Sequence, residues 1–241
     1  MTMRPGPCLA LAALLTAASP AGAIQGGAPA RGGDALSRAT VAVGALLKPD
    51  EEENIKVTRC TGVLIGRDRV MTAAHCVRDN PLGAMVMFYQ GSRPVGPALP
   101  VASVSRYAVA PGAVAEGGLV RDLAQLTLDV AVLRLAAPVR GRSAIPLGTR
   151  SRGLPATLQF AGIGLSGGAP GVLRTTTLRP LGVTETGLTI ARAVGSLVCT
   201  GDSGGPVVDT RGGRARLWGV ASAVITTKPP CGDIVVIAPA T

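Results

Sequence analysis

Aromatic residues are scarce in this chain, which has two Phe, two Tyr and one Trp among 241 residues. Proteins that bind single-stranded nucleic acid usually stack bases on aromatic side chains beside a basic groove. The 24 Lys and Arg residues are mostly scattered Arg and form no run of five or more. The formal net charge of +10 therefore indicates a solvated basic surface, and we expect no nucleic-acid partner.

Histidine is rarer still, because His75 is the sole histidine of the sequence. Zinc sites usually combine several His and Cys ligands, and the five cysteines form no Cys-x-x-Cys pair. We therefore expect neither a bound metal nor a cofactor.

No apolar segment reaches the ~20 residues that a membrane-spanning helix needs. The first residues combine a basic start at Arg4, an apolar stretch from Leu9 to Ala18, and the ending Ala21-Gly22-Ala23. This layout is typical of a secretory signal peptide with an Ala-x-Ala cleavage site. We expect residues 1–23 to be removed and the protein to be secreted or periplasmic, with no stable membrane anchor. The loss of Arg4 lowers the formal charge from +10 to +9.

Four cysteines remain after Cys8 leaves with this segment, and an even number in an exported protein indicates two disulfides. Three pairings are open. The local pairs Cys60 with Cys76 and Cys199 with Cys231 are favoured because each closes a modest loop.

Gly (33) and Pro (19) are abundant, and many short apolar or alternating segments lie between turn residues. This pattern predicts an all-β fold of short strands in a sandwich or barrels. The predicted strands are Thr40–Leu47, Val57–Ile65, Ala84–Tyr89, Val130–Leu135, Thr157–Ile163, Gly187–Ala191, Pro206–Val208, Leu217–Ile225 and Ile234–Ala238. The segment 136–152, rich in Pro, Arg, Gly and Ser, is the best candidate for a linker between two halves.

The segment 201–206 reads Gly-Asp-Ser-Gly-Gly-Pro, and its glycines let the backbone bend sharply and present Ser203. An ordinary glycine-rich turn is the alternative interpretation. A serine nucleophile needs a base to take its proton, and His75 is the one imidazole that could do so. A carboxylate must then orient that imidazole. Asp122 and Asp129 compete, and Asp129 is preferred because a cleaner apolar strand follows it, while Asp122 is read as a turn residue.

These pieces resemble the chymotrypsin/trypsin-like serine proteases. The matching segments are Ile24-Gln25-Gly26-Gly27, Thr72-Ala73-Ala74-His75-Cys76, Asp129-Val130-Ala131-Val132-Leu133 and Gly201-Asp202-Ser203-Gly204-Gly205-Pro206. The resemblance implies two packed six-stranded antiparallel β-barrels, about 24–137 and about 150–241, with the active site in the cleft between them. It also implies the catalytic residues His75 and Asp129 from the first barrel and Ser203 from the second, together with the two local disulfides.

The same resemblance implies an oxyanion hole made of the backbone N–H groups of Gly201 and Ser203. It further implies that a free α-ammonium group at Ile24 pairs with Asp202 and orders that hole. Because the predicted signal cleavage would free Ile24 directly, we expect export itself to mature the protein.

The specificity pocket is implied at Leu197, Ser222, Val224 and Asp233. Leu197 stands where trypsin-type relatives have an aspartate, which argues against simple trypsin specificity and favours small or medium aliphatic side chains. Asp233 would restore a preference for basic residues if it projected into the pocket, and a turn role is the alternative. Relatives usually end in a helix packed on the first barrel, whereas this sequence stops soon after its last predicted strand. Without such a helix, we expect either weaker packing between the two barrels or a partner protein that covers the same surface of the first barrel.

The sequence thus predicts a monomeric exported serine endopeptidase that acts on protein or peptide substrates through an acyl-enzyme, with protein inhibitors as a further class of partner. A catalytically silent homologue that binds anionic surfaces is the alternative from another class. An esterase with little peptide turnover is a second alternative.

Overall fold

The computed structural model describes residues 23–48, 55–78, 81–106, 126–150, 153–166, 169–225 and 231–240. Strands dominate these ranges. The helices whose full extent lies within these ranges are a five-residue α-helix, α1 (Ala35–Ala39), and one 3₁₀ turn (Ala74–Cys76), and Leu126 and Thr127 are helical as well. In this part of the chain no helix has the length and hydropathy needed to cross a bilayer.

The first barrel is closed by six antiparallel strands that neighbour one another in the order β2-β3-β4-β7-β6-β5 and back to β2. Its strands are β2 (Thr40–Leu46), β3 (Val57–Leu64), β4 (Arg69–Thr72), β5 (Gly83–Gln90), β6 (Arg93–Arg106) and β7 (Ala131–Leu135). Alternation sets the faces, as in β7, where Ala131, Leu133 and Leu135 are buried and Arg134 is exposed.

The second barrel closes in the order β8-β11-β12-β17-β15-β14 and back to β8. Its strands are β8 (Leu158–Gly162), β11 (Arg174–Val183), β12 (Thr189–Ala193), β14 (Pro206–Asp209), β15 (Arg216–Ile225) and β17 (Ile234–Pro239). The predicted fold class, two six-stranded antiparallel β-barrels, is therefore confirmed.

Five two-residue strands lie outside the two barrels. They are β1 (Ala28–Pro29), β9 (Leu165–Ser166), β10 (Ala169–Pro170), β13 (Val198–Cys199) and β16 (Cys231–Gly232). The strand β1 pairs with β11, β9 pairs with β10, and β13 pairs with β16. In the described residues β17 is the last element, and no helix follows it up to Ala240.

The segment after β7 carries the chain from one barrel to the other. The N–H of Ile145 donates to the carbonyl of Leu64 in the first barrel, and the N–H of Leu217 donates to Pro146 from the second. This crossing lies within the segment 136–152 that the sequence marks as a linker.

Candidate active site

His75 lies in the 3₁₀ turn directly after β4, where its side chain is 44% exposed. Its Nδ1 lies 2.8 Å from Asp129 Oδ2, and its backbone N–H donates to Asp129 Oδ1 at 2.8 Å. Asp129, just before β7, is only 8% exposed. Because a carboxylate can only accept, the imidazole is held with Nδ1–H toward Asp129, and Nε2 lies 3.7 Å from the Cys76 sulfur.

Asp129 accepts a third hydrogen bond, from the hydroxyl of Ser222 to Oδ2 at 2.5 Å. Ser222 belongs to β15 of the second barrel, so this contact joins the two barrels at the carboxylate. The sequence interpretation assigned Ser222 to the specificity pocket, whereas its hydroxyl points to Asp129. No local pattern in the sequence could have indicated this partner.

Ser203 lies in the turn that precedes β14, close to the histidine. Cys76 Sγ is 3.9 Å from the Ser203 carbonyl oxygen and 3.7 Å from His75 Nε2, so one sulfur atom touches both residues. Ser203 and His75 are both described residues, and no hydrogen bond joins the Ser203 hydroxyl to His75 Nε2. Catalytic hydrogen bonds are often long or poorly aligned before substrate binds.

The turn around Ser203 is shaped by glycines in the left-handed region, Gly201 at φ 91° and Gly204 at φ 78°. A Cβ at Gly204 would collide with the Thr72 hydroxyl and the Thr61 carbonyl, so only glycine fits there. In the described part of the chain, the N–H groups of Gly201 and Ser203 bind no protein acceptor, whereas both residues' carbonyls accept hydrogen bonds from Thr61. Thr61 was missed by the sequence analysis.

The backbone N–H of Ile24 donates to Asp202 Oδ2 at 3.1 Å, and both residues are fully buried. The N–H of Cys199 donates to the same oxygen at 2.8 Å, while Asp202 Oδ1 has no hydrogen-bond partner among the described residues. Burial raises the pKa of Asp202 to about 7, although the N–H groups of Cys199, Ile24 and Gly164 act in the opposite direction. The predicted pair is therefore in contact, with one carboxylate oxygen left unsatisfied.

Three further residues are expected in the specificity pocket by resemblance, and the structure shows their contacts. Leu197 is 39% exposed, and its N–H donates to Gln25. Val224, in β15, is partly buried against the second core. Asp233 forms an ion pair with Arg192, with Nε and Oδ2 3.2 Å apart. Its carboxylate therefore already has a basic partner from the same barrel.

Disulfides join Cys60 to Cys76 and Cys199 to Cys231, which confirms both favoured pairings. Within the described ranges, one trio of metal-ligand types lies close together, Cys60, His75 and Cys76, with ligand atoms within 4.8 Å. Both sulfurs of this trio are consumed by the disulfide, so no thiolate is offered there. Asp122 and the predicted signal residues 1–22 lie outside the described residues.

Solved structures of other proteins share the two-barrel fold. HL collagenase matches with a TM-score of 0.68 at 19% identity, over 90% of this chain and 93% of its own. The active form of the Rv3671c protease from M. tuberculosis matches with a TM-score of 0.58 at 22% identity, over 86% of this chain and 78% of its own. At such identities these structures show the fold alone. No curated protein matches this sequence significantly.

The family model described as Trypsin matches residues 24–239, nearly the whole described chain. The chain is therefore a member of the trypsin family of serine proteases.

Proposed function

We propose that this protein is an exported serine endopeptidase with the catalytic residues Ser203, His75 and Asp129. The observation that carries the proposal is the buried Asp129 carboxylate, which accepts hydrogen bonds from both the ring and the backbone of His75. His75 in turn lies close to Ser203, since the Cys76 sulfur contacts both residues. The two disulfides support export, because such bonds persist in oxidising compartments.

The reaction follows from these positions. Asp129 holds the Nδ1–H tautomer, so His75 Nε2 takes the Ser203 proton while Oγ attacks the scissile carbonyl. The negative charge on the carbonyl oxygen is stabilised by the Gly201 and Ser203 N–H groups. His75 then gives its proton to the leaving amine, and a water molecule repeats the sequence to hydrolyse the acyl-enzyme.

The side chain before the scissile bond would be small or medium aliphatic. Leu197 and Val224 offer apolar surface, and the Asp233 carboxylate is already paired with Arg192. A basic substrate side chain would have to compete with that arginine. This favours the aliphatic alternative over trypsin-like specificity.

Maturation at Ile24 is supported by the state of Asp202. A peptide N–H supplies one donor and no charge, whereas an α-ammonium group supplies three donors and a positive charge. Cleavage before Ile24 would thus add donors beside the Asp202 carboxylate and neutralise a charge that burial makes costly. We infer that signal-peptide removal is the activating step.

The activity is tested with a chain that begins at Ile24, assayed on an unfolded protein substrate with mass spectrometry of the products. We expect cleavage after small or medium aliphatic residues and none by the Ser203→Ala variant. Intact substrate after incubation with the folded wild-type protein would refute the proposal.

The maturation step is tested separately by N-terminal sequencing of the exported protein. We expect the sequence to begin at Ile24, and an active protein that begins elsewhere would refute this step alone.

A further inference from the structure

Thr61 lies in β3 of the first barrel, is 0% exposed, and makes four hydrogen bonds. Its hydroxyl donates to the Gly201 carbonyl at 2.8 Å and accepts from the Ile163 N–H at 3.0 Å. Its backbone N–H donates to the Ser203 carbonyl at 2.8 Å, and its own carbonyl accepts from the Thr72 hydroxyl at 2.7 Å. One residue of the first barrel is therefore tied to both sides of Asp202 in the second.

The direction of the hydroxyl is fixed by its two partners. The Ile163 N–H can only donate, so it occupies a lone pair of Thr61 Oγ1, and the hydroxyl proton goes to the Gly201 carbonyl. That carbonyl stands along the chain between the two unengaged amides, the N–H of Gly201 and the N–H of Ser203. The N–H of the same peptide group, that of Asp202, donates to the Cys199 carbonyl at 3.1 Å, so Thr61 and Cys199 together fix the plane of the Gly201–Asp202 peptide.

Gly201 needs such a restraint, because a glycine at φ 91° has no Cβ to limit its rotation. If the carbonyl lost its donor, it would be left buried and unpaired, which costs about 1–3 kcal/mol. Rotation of the Gly201–Asp202 peptide away from Thr61 relieves that cost, at the expense of the hydrogen bond from the Asp202 N–H to Cys199. The same rotation moves the amides away from the oxygen that they serve.

We propose that Thr61 is a positioning residue, whose hydroxyl group holds the Gly201 and Ser203 amides in the geometry of the oxyanion hole. This inference rests on the proposed serine protease function. Thr61 contacts no reacting atom, and it acts through the carbonyl of Gly201.

The test compares Thr61→Val, which keeps the shape but loses the hydroxyl, with Thr61→Ser, which keeps the hydroxyl. The matched control is Thr40→Val, because Thr40 is also 0% exposed and its hydroxyl also donates to a backbone carbonyl, Leu36 O at 2.7 Å. Each chain begins at Ile24, and kcat and KM are measured with a peptide amide, normalised to the concentration of folded protein.

We expect Thr61→Val to lower kcat by roughly 10- to 100-fold with KM changed by less than about threefold, because a misplaced donor weakens transition-state binding alone. Thr61→Ser and Thr40→Val should stay within about threefold of the wild type. Affinity for a peptide aldehyde, which forms a tetrahedral adduct, should fall in parallel with kcat, whereas affinity for the product peptide should not change.

A Thr61→Val variant with wild-type kcat would overturn the inference, and so would equal losses of aldehyde and product affinity. If Thr61→Val does not fold, Thr61→Ala against Thr61→Ser gives the same contrast. If the wild-type protein folds but is inactive, both the proposed function and this inference are overturned. If the wild type is active and Thr61→Val has the same kcat, this inference alone is overturned.

Discussion

At the scale of single residues, the Asp129 carboxylate is the most heavily used group of the site. It accepts from the His75 ring, the His75 backbone and the Ser222 hydroxyl, and these donors come from both barrels. A carboxylate bound in this way acts as a fixed frame for the imidazole.

Replacing Asp129 with Asn should lower kcat by roughly 10⁴-fold, because an amide at this position favours the wrong imidazole tautomer. The measurement is steady-state hydrolysis of a peptide ester at neutral pH by the chain that begins at Ile24. The control is Ser222→Ala, which removes one donor but keeps the charge and should cost less than about tenfold in kcat. Near-normal activity of Asp129→Asn would contradict the assigned role.

The pH dependence of stability should report the state of Asp202. In a chain that retains the residues before Ile24, the folded pKa of about 7 exceeds the unfolded value of 3.8, so the folded state binds the extra proton between these limits. Its free energy of unfolding should therefore fall as pH rises from about 4 to about 7. Urea unfolding across this range is the measurement.

Two comparisons make that result specific. Asp202→Asn should remove the decrease in the free energy of unfolding with rising pH. A chain that begins at Ile24 should show a smaller decrease, since its α-ammonium group favours the ionised carboxylate. Identical pH profiles for all three proteins would show that Asp202 does not titrate in this way.

The residues that the sequence could predict are those with a distinctive chemical type in a distinctive setting. A sole histidine and a serine between glycines fall in this class. Thr61 could not be found this way, and Ser222 was named only as a specificity-pocket residue, because each is an ordinary strand residue whose role depends on which part of the other barrel it meets. Only the three-dimensional contact distinguishes Thr61 from Thr40.

At the scale of elements, strands with a clear apolar or alternating run were predicted within a few residues of their observed ends, as with β2, β3 and β7. Among the barrel strands, β4, β6 and β11 were missed, and β4 is only four residues long. β6 contains three prolines and is mostly exposed, and β11 is interrupted by Pro180 at a bulge. Proline removes a backbone donor, so such segments look like loops unless bulges or exposed edges accommodate them.

The 3₁₀ turn that carries His75 depends on a covalent tie to β3. Replacing both Cys60 and Cys76 with Ala opens a loop with a sequence separation of 16, which should lower the free energy of unfolding by about 3 kcal/mol. Because the Cys76 sulfur touches both His75 and Ser203, kcat should fall as well, even at temperatures where the variant is folded.

Urea unfolding and steady-state kinetics on the same sample provide the measurement. The Cys199→Ala, Cys231→Ala variant, with a separation of 32, serves as the comparison for a stability loss of similar origin. Unchanged kcat in the folded Cys60→Ala, Cys76→Ala protein would show that the disulfide stabilises the barrel without shaping the site.

At the scale of the whole molecule, the site exists only where the barrels meet. His75 and Asp129 come from the first barrel, and Ser203, Ser222 and Asp202 come from the second. Thr61 lies in the first barrel and donates a hydrogen bond to Gly201 of the second. Ser222 donates to Asp129 in the opposite direction. The order of motifs in the sequence predicted this division through a family resemblance. The hydrogen bonds that hold the halves together had no sequence signature.

The central claim is that Ser203 is a nucleophile activated by His75, and labelling with a fluorophosphonate probe tests it most directly. The chain that begins at Ile24 should be labelled on Ser203, as identified by peptide mapping. The Ser203→Ala variant should take up no label, and the His75→Ala variant should react at least about 10³-fold more slowly. A folded wild-type protein that resists the probe, or a label that persists in Ser203→Ala, would contradict the account and favour a non-catalytic protein that binds anionic surfaces.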